Sequence, residues 1–110
     1  MDKVRNLRER IEKVTITEKD LLDIVQYKFG FTKEQLSDKV RKKEYVDARR
    51  LVFYVLKRKL RLSLKKIGLQ YGGRDHTTVS HAIKKFYDLY ETDLDYQKRC
   101  NEVFDILDIN

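Results

Sequence analysis

Apolar side chains recur every three to four positions along the chain, in segments separated by short polar or glycine-containing breaks. This is the pattern of amphipathic helices. Val4, Leu7, Ile11 and Val14 form a thin stripe on an otherwise polar segment, which predicts an N-terminal amphipathic helix within residues 1–15. Thr17 stands where an N-cap belongs, ahead of Leu21, Ile24, Val25 and either Tyr27 or Phe29, and Gly30 is placed to end that helix. Thr32 with Gln35 three residues later is a capping-box pattern for a short helix closing near Leu36 or Ser37. The polar connection Asp38 to Lys43 leads into the strongest periodicity in the chain. There Ala48, Leu51, Val52, Val55 and Leu56 share one side of a central helix expected from Tyr45 to Leu60. Ser63 is a candidate cap for Leu64 to Tyr71, whose stripe is Leu64, Ile67, Gly68 and Tyr71, and Gly72-Gly73 breaks it. Asp75 can cap a helix reaching about Tyr90, with Val79, Ala82, Ile83, Phe86 and Tyr90 inward. Thr92 is expected to cap a last helix through Leu107, apolar at Tyr96, Cys100, Val103, Phe104 and Leu107. With no proline and four glycines in 110 residues, the chain reads as all-α. Residues 16–110 form one domain, and helices flank its centre on both sides.

Charge sharpens this picture. Charged residues make up 39% of the chain, against an average near ~25%, so much of the surface is ionic. The net charge of +7 is unevenly spread: Lys39 to Phe86 holds 15 Lys/Arg against 3 Asp/Glu, while Tyr87 to Asn110 holds 2 against 7. A basic centre with an acidic tail fits either a polyanion-binding surface or a Lys-rich solvated one. Cys100 is the sole cysteine, so no internal disulfide can form, as suits a reducing compartment. No apolar run approaches the ~18–20 residues of a membrane span, and the charged start lacks the apolar core of a signal peptide. A cytoplasmic location is expected.

Leu64–Tyr71 and His76–Tyr90, joined by a tight glycine-containing turn, have the layout of a helix-turn-helix. Spacing alone also fits an ordinary helical hairpin with a polar outer face. The residues at the start of the second helix have the chemistry to meet DNA. Thr77 and Thr78 offer hydroxyls and methyls, His76 can donate to a purine acceptor, and Asp75 can accept from a cytosine amine. Recognition helices read base edges from that end, and their backbone amides favour a phosphate. Lys84 and Lys85, further along, suit backbone contacts.

The run Gly72-Gly73-Arg74-Asp75-His76-Thr77-Thr78-Val79-Ser80-His81-Ala82 closely resembles the signature of the DNA-binding domain of bacterial replication initiators of the DnaA family. Ile16-Thr17, the basic loop Lys39 to Lys43, Ala48-Arg49, Ser63-Leu64 and Ile67-Gly68 fall at matching distances, so the resemblance extends from about Ile16 to the C-terminus. It implies a Trp-repressor-like helix-turn-helix that binds double-stranded DNA at DnaA boxes, TTATNCACA or a variant. The setting would be replication initiation or its regulation, in association with the nucleoid. It also implies residue roles. Asp75, His76, Thr77 and Thr78 would read bases in the major groove, and Arg41 would enter the adjacent minor groove. Lys39, Lys43, Arg49, Lys57 and Leu64 would lie at the DNA backbone; Lys65, Arg74 and Lys84 are further candidates for backbone contacts on their own chemistry. Two positions depart from the family pattern: Lys65 replaces a usual proline, and Ser80 replaces a usual leucine. The second removes an apolar group near the reading face, which opens room for a shifted site preference. No Gly-x-x-x-x-Gly-Lys-Ser/Thr loop is present, so the ATPase part of an initiator is not in this sequence.

Other chemistries find less support. His76 and His81 are five apart and no Cys/His cluster joins them, so no metal site is expected, and no cofactor. Asp75, His76 and Thr77 are adjacent, and adjacent helical side chains diverge where a catalytic triad must converge; enzyme activity is not expected. Aromatic residues among the basic ones could stack single-stranded bases, but at helical spacing most read as core. Two alternatives to an initiator-like function stand: a helix-turn-helix transcription regulator with a different site, and a protein-interaction module docking through its terminal helices.

Overall fold

A computed structural model describes residues 16–109, which form six α-helices. They are α1 (Glu18–Phe29), α2 (Lys33–Ser37), α3 (Lys43–Arg58), α4 (Leu64–Gln70), α5 (His76–Thr92) and α6 (Leu94–Leu107). The helix expected within residues 1–15 lies outside the described residues.

Most helix starts follow from local chemistry. Thr17 and Thr32 each make a full capping box, with Asp20 and Gln35 respectively, and Ser63 accepts from the backbone N–H of Lys66. Gly30 closes α1 with φ 84°. Several boundaries differ from the sequence expectation. The central helix α3 begins at Lys43 rather than Tyr45 and ends at Arg58 rather than Leu60. Its N-cap, Lys42, makes no side-chain capping bond, so no residue type announces the start. The last helix is capped by Asp93, whose Oδ1 accepts from Tyr96 N–H at 3.0 Å. Thr92, expected in that role, is instead the final residue of α5, and its hydroxyl donates to the Asp88 carbonyl at 2.7 Å.

Helix α3 is the hub, packing against α1, α2, α4 and α5, while α6 closes the domain against α1 and α5. Leu51, Val52, Phe53, Val55 and Leu56 are buried on α3, and Val79, Ile83 and Phe86 meet them from α5. On α1 the alternative between Tyr27 and Phe29 resolves to Phe29, because Tyr27 is 78% exposed. Aromatic rings fill the core as their spacing suggested. Tyr54 stacks on Phe86 with centroids 4.3 Å apart, and Phe53 meets Tyr71 edge-on. The acidic C-terminal helix is part of this core, contributing Tyr96, Cys100, Val103, Phe104 and Leu107. Tyr96 also donates its hydroxyl to the Asp47 carbonyl at 2.7 Å, tying α6 to α3.

Burial pushes the Cys100 thiol from 9.0 up to about 12. The thiol is then protonated in the folded chain at pH 8 and shielded from reagents. Alkylation of Cys100 is expected to proceed only through unfolding, so labelling in native buffer should be at least about a hundredfold slower than in urea. Rapid native labelling would show that α6 detaches. The sign of the pH effect follows from the same shift. A folded pKa above the unfolded one stabilises fully below about 9, and that contribution is lost as pH rises toward 12.

Candidate nucleic-acid interface

The turn between α4 and α5 is built around two close approaches. Gly68 is buried on α4, and a Cβ there would stand 2.0 Å from the Arg74 carbonyl oxygen. The same approach lets the Arg74 N–H donate to the Gly68 carbonyl at 2.8 Å. Gly72, at φ 94°, lies against the end of α2, where a Cβ would be 2.3 Å from the Ser37 carbonyl oxygen. The turn therefore docks on α2 while fixing α4 against α5.

Asp75 caps α5, its Oδ1 accepting from Thr77 N–H at 3.1 Å. The same oxygen lies 2.9 Å from His76 Nδ1. The cap thus orients the imidazole. Asp75, His76, Thr77 and Thr78 are all exposed. Val79 and Ile83, one and two turns on, are buried, so α5 presents a polar first turn from an anchored apolar side.

The loop between α2 and α3 stands beside that turn. Lys39, Arg41, Lys43, Arg74, Asp75 and Thr78 line one concavity of about 730 Å³. Lys39, Arg41 and Lys43 are exposed. Lys43 Nζ is also 2.6 Å from Asp47 Oδ2, a contact that raises the ammonium's pKa and keeps it charged. Lys57, Leu64, Lys65, His76, Thr77 and Lys84 do not line the concavity. Lys65 and Lys84 are exposed at the start of α4 and the middle of α5, whereas Lys57 and Leu64 are half-buried.

Two of the expected backbone-contacting residues have their guanidinium groups engaged within the protein. Arg49, only 8% exposed, donates through Nε to the Leu36 carbonyl at 2.7 Å and through Nη2 to the carbonyls of Asp38 at 2.7 Å and Val40 at 3.3 Å. Arg74 donates through Nη1 to the carbonyls of Tyr71 and Ser37, and through Nη2 to that of Asp38 at 2.8 Å. Burial, with the nearby Arg74 charge adding to it, pulls the Arg49 pKa down to about 10. Burial also lowers that of Arg74. Arg50, which the sequence reading passed over, lines the concavity and lies 3.5 Å from the buried Asp47 carboxylate. Its position three residues after Asp47 on a helix was the available signal.

Six helices with a tight α4–turn–α5 pair, a capped polar first turn on the second helix and a basic loop beside it define a helix-turn-helix domain of the DNA-binding class. Comparison with known proteins gives the family. The family described as "Bacterial dnaA protein helix-turn-helix" matches residues 19–86. Among curated proteins, the chromosomal replication initiator proteins DnaA from two strains of Thermus thermophilus are each 43% identical over 83 residues, covering 73% of this chain. The chain belongs to the DnaA helix-turn-helix family. It spans about a fifth of the length of those relatives, 19% of each. No helix among the described residues is long and apolar enough to cross a membrane.

Proposed function

We propose that this domain binds double-stranded DNA with sequence preference, at DnaA-box-like sites, in replication initiation or its regulation. The observation that carries the reading is the shared concavity, in which the basic loop with Arg41 faces the capped start of α5. One surface then offers an arginine suited to a narrow, electronegative minor groove and a helix start suited to base edges in the major groove. Asp75, His76, Thr77 and Thr78 supply base contacts in this reading. The Asp75 carboxylate, 2.9 Å from His76 Nδ1, orients the imidazole for contact with a base edge. Lys39, Lys43, Lys57, Leu64, Lys65 and Lys84 lie along the backbone, and the lysines supply the salt-sensitive part of the affinity. The reading is one of binding without catalysis, and it assigns a nucleoid-associated cytoplasmic setting.

Two substitutions separate reading from coating. Arg41→Ala is expected to weaken binding to a DnaA-box duplex by about 1–3 kcal/mol, and to a scrambled duplex by less. Lys84→Ala is expected to weaken both alike and to reduce the salt slope of log K by about 1. Titrations at several salt concentrations measure both. Equal loss on both duplexes for Arg41→Ala would remove the minor-groove role.

A further inference from the structure

The carbonyl groups at the end of a helix have no partners within it and must find them elsewhere. Helix α2 is short, and its last carbonyls open directly into the loop that carries Arg41. Here they are met by two arginines from different elements. Arg49, from within α3, takes the carbonyls of Leu36, Asp38 and Val40, and Arg74, from the α4–α5 turn, takes those of Ser37 and Asp38. Both guanidinium groups converge on the Asp38 carbonyl, at 2.7 and 2.8 Å. Two like charges at one acceptor are unfavourable unless each is well satisfied by hydrogen bonds, as they are here. Gly72 makes the approach possible, since a Cβ would collide with the Ser37 carbonyl and stand 2.5 Å from Arg74 Nη1.

We propose that Arg49 and Arg74 form an internal clamp that sets the loop carrying Arg41 at a fixed distance from the start of α5, and that their part in DNA binding is positioning rather than phosphate contact. The proposal rests on the DNA-binding reading above and deepens it. The two reading elements come from separate parts of the chain, so they must hold one spacing to reach adjacent grooves together. A loop already held by three contacts at its Asp38 and Val40 carbonyls, with two more on the end of α2, gives up less freedom on binding than a free one. Arginine is required because its planar fork reaches several acceptors at once, which a lysine ammonium on a flexible stem does not reproduce.

Charge-conserving substitution tests this, because it preserves a phosphate contact but breaks the fork. Arg74→Lys and Arg49→Lys are each expected to weaken binding to a DnaA-box duplex about tenfold, with little change on a scrambled duplex and an unchanged salt slope. The loss should be non-additive with Arg41→Ala: once the loop is released, removing Arg41 costs much less than in the parent protein. Amide hydrogen exchange without DNA gives an independent readout, in which amides of residues 39–42 should exchange about tenfold faster while those of α5 stay protected. Circular dichroism checks folding; if Arg49→Lys unfolds the domain, the half-exposed Arg74→Lys carries the test. Lysine variants that bind as tightly as the parent, or losses that are uniform over sequence and additive with Arg41→Ala, would overturn the clamp. So would unchanged exchange in the loop. Absence of box preference in the parent protein would defeat the DNA reading instead, and loop exchange would still decide whether the clamp holds.

Discussion

Gly68→Ala is expected to destabilise the domain by about 3 kcal/mol. Ordinarily the change would favour a helix, since glycine in a helix interior costs up to about 1 kcal/mol relative to alanine. Here the tertiary contact outweighs that gain. The new Cβ would lie 2.0 Å from the Arg74 carbonyl oxygen and 3.4 Å from Val79 Cγ2. The first of these is main chain and cannot rotate aside. Relief requires α4 and the turn to separate, which breaks the 2.8 Å bond from the Arg74 N–H to the Gly68 carbonyl. It also draws Arg74 away from the carbonyls of Ser37 and Asp38. A fall in Tm of more than about 10 °C is the expected reading. The neighbouring Leu69→Ala, at a side chain 67% exposed, should stay within about 0.5 kcal/mol. Equal stability of the two variants would mean that α4 and the turn do not pack as described.

The second large effect falls on recognition. Thr77→Ala and His76→Ala are each expected to cost about 1–3 kcal/mol on a DnaA-box duplex and to relax sequence choice. Both side chains are exposed on the first turn of α5, and neither belongs to the core. Thr77 keeps its capping bond on substitution, since that bond uses its backbone N–H. The loss should therefore appear in binding while Tm is nearly unchanged. Competition between box and scrambled duplexes measures it. Losses of equal size on every sequence for Thr77→Ala, His76→Ala and Lys84→Ala would show that the reading face lies elsewhere.

Much of the fold was legible because its signals are local. Thr17, Thr32, Ser63 and Asp75 cap helices within three residues of themselves, and a sequence displays that spacing directly. The stripes on α3, α5 and α6 did the same for the core. Boundaries without a side-chain cap were not legible: α3 starts behind Lys42, which makes no such bond. Thr92 looked like a cap because threonine often is one, yet Asp93 beside it supplies the carboxylate. At the candidate site, exposure of Arg41 and of Asp75 to Thr78 followed from the polar pattern and the family resemblance. The environments of Arg49 and Arg74 did not. An arginine on a basic segment reads as surface, and only the tertiary arrangement reveals main-chain carbonyls converging on it. Long-range hydrogen bonds to backbone leave no periodicity and no residue-type signature.

The central claim is sequence-preferring binding to duplex DNA. Fluorescence anisotropy of a labelled DnaA-box duplex against a scrambled duplex, at near-physiological salt and again at higher salt, tests it most directly. A preference for the box that survives the increase in salt is the expected result, because base contacts outlast the counterion-release contribution to affinity. Equal binding to both duplexes that disappears with salt would contradict the account and leave only a basic surface that coats DNA.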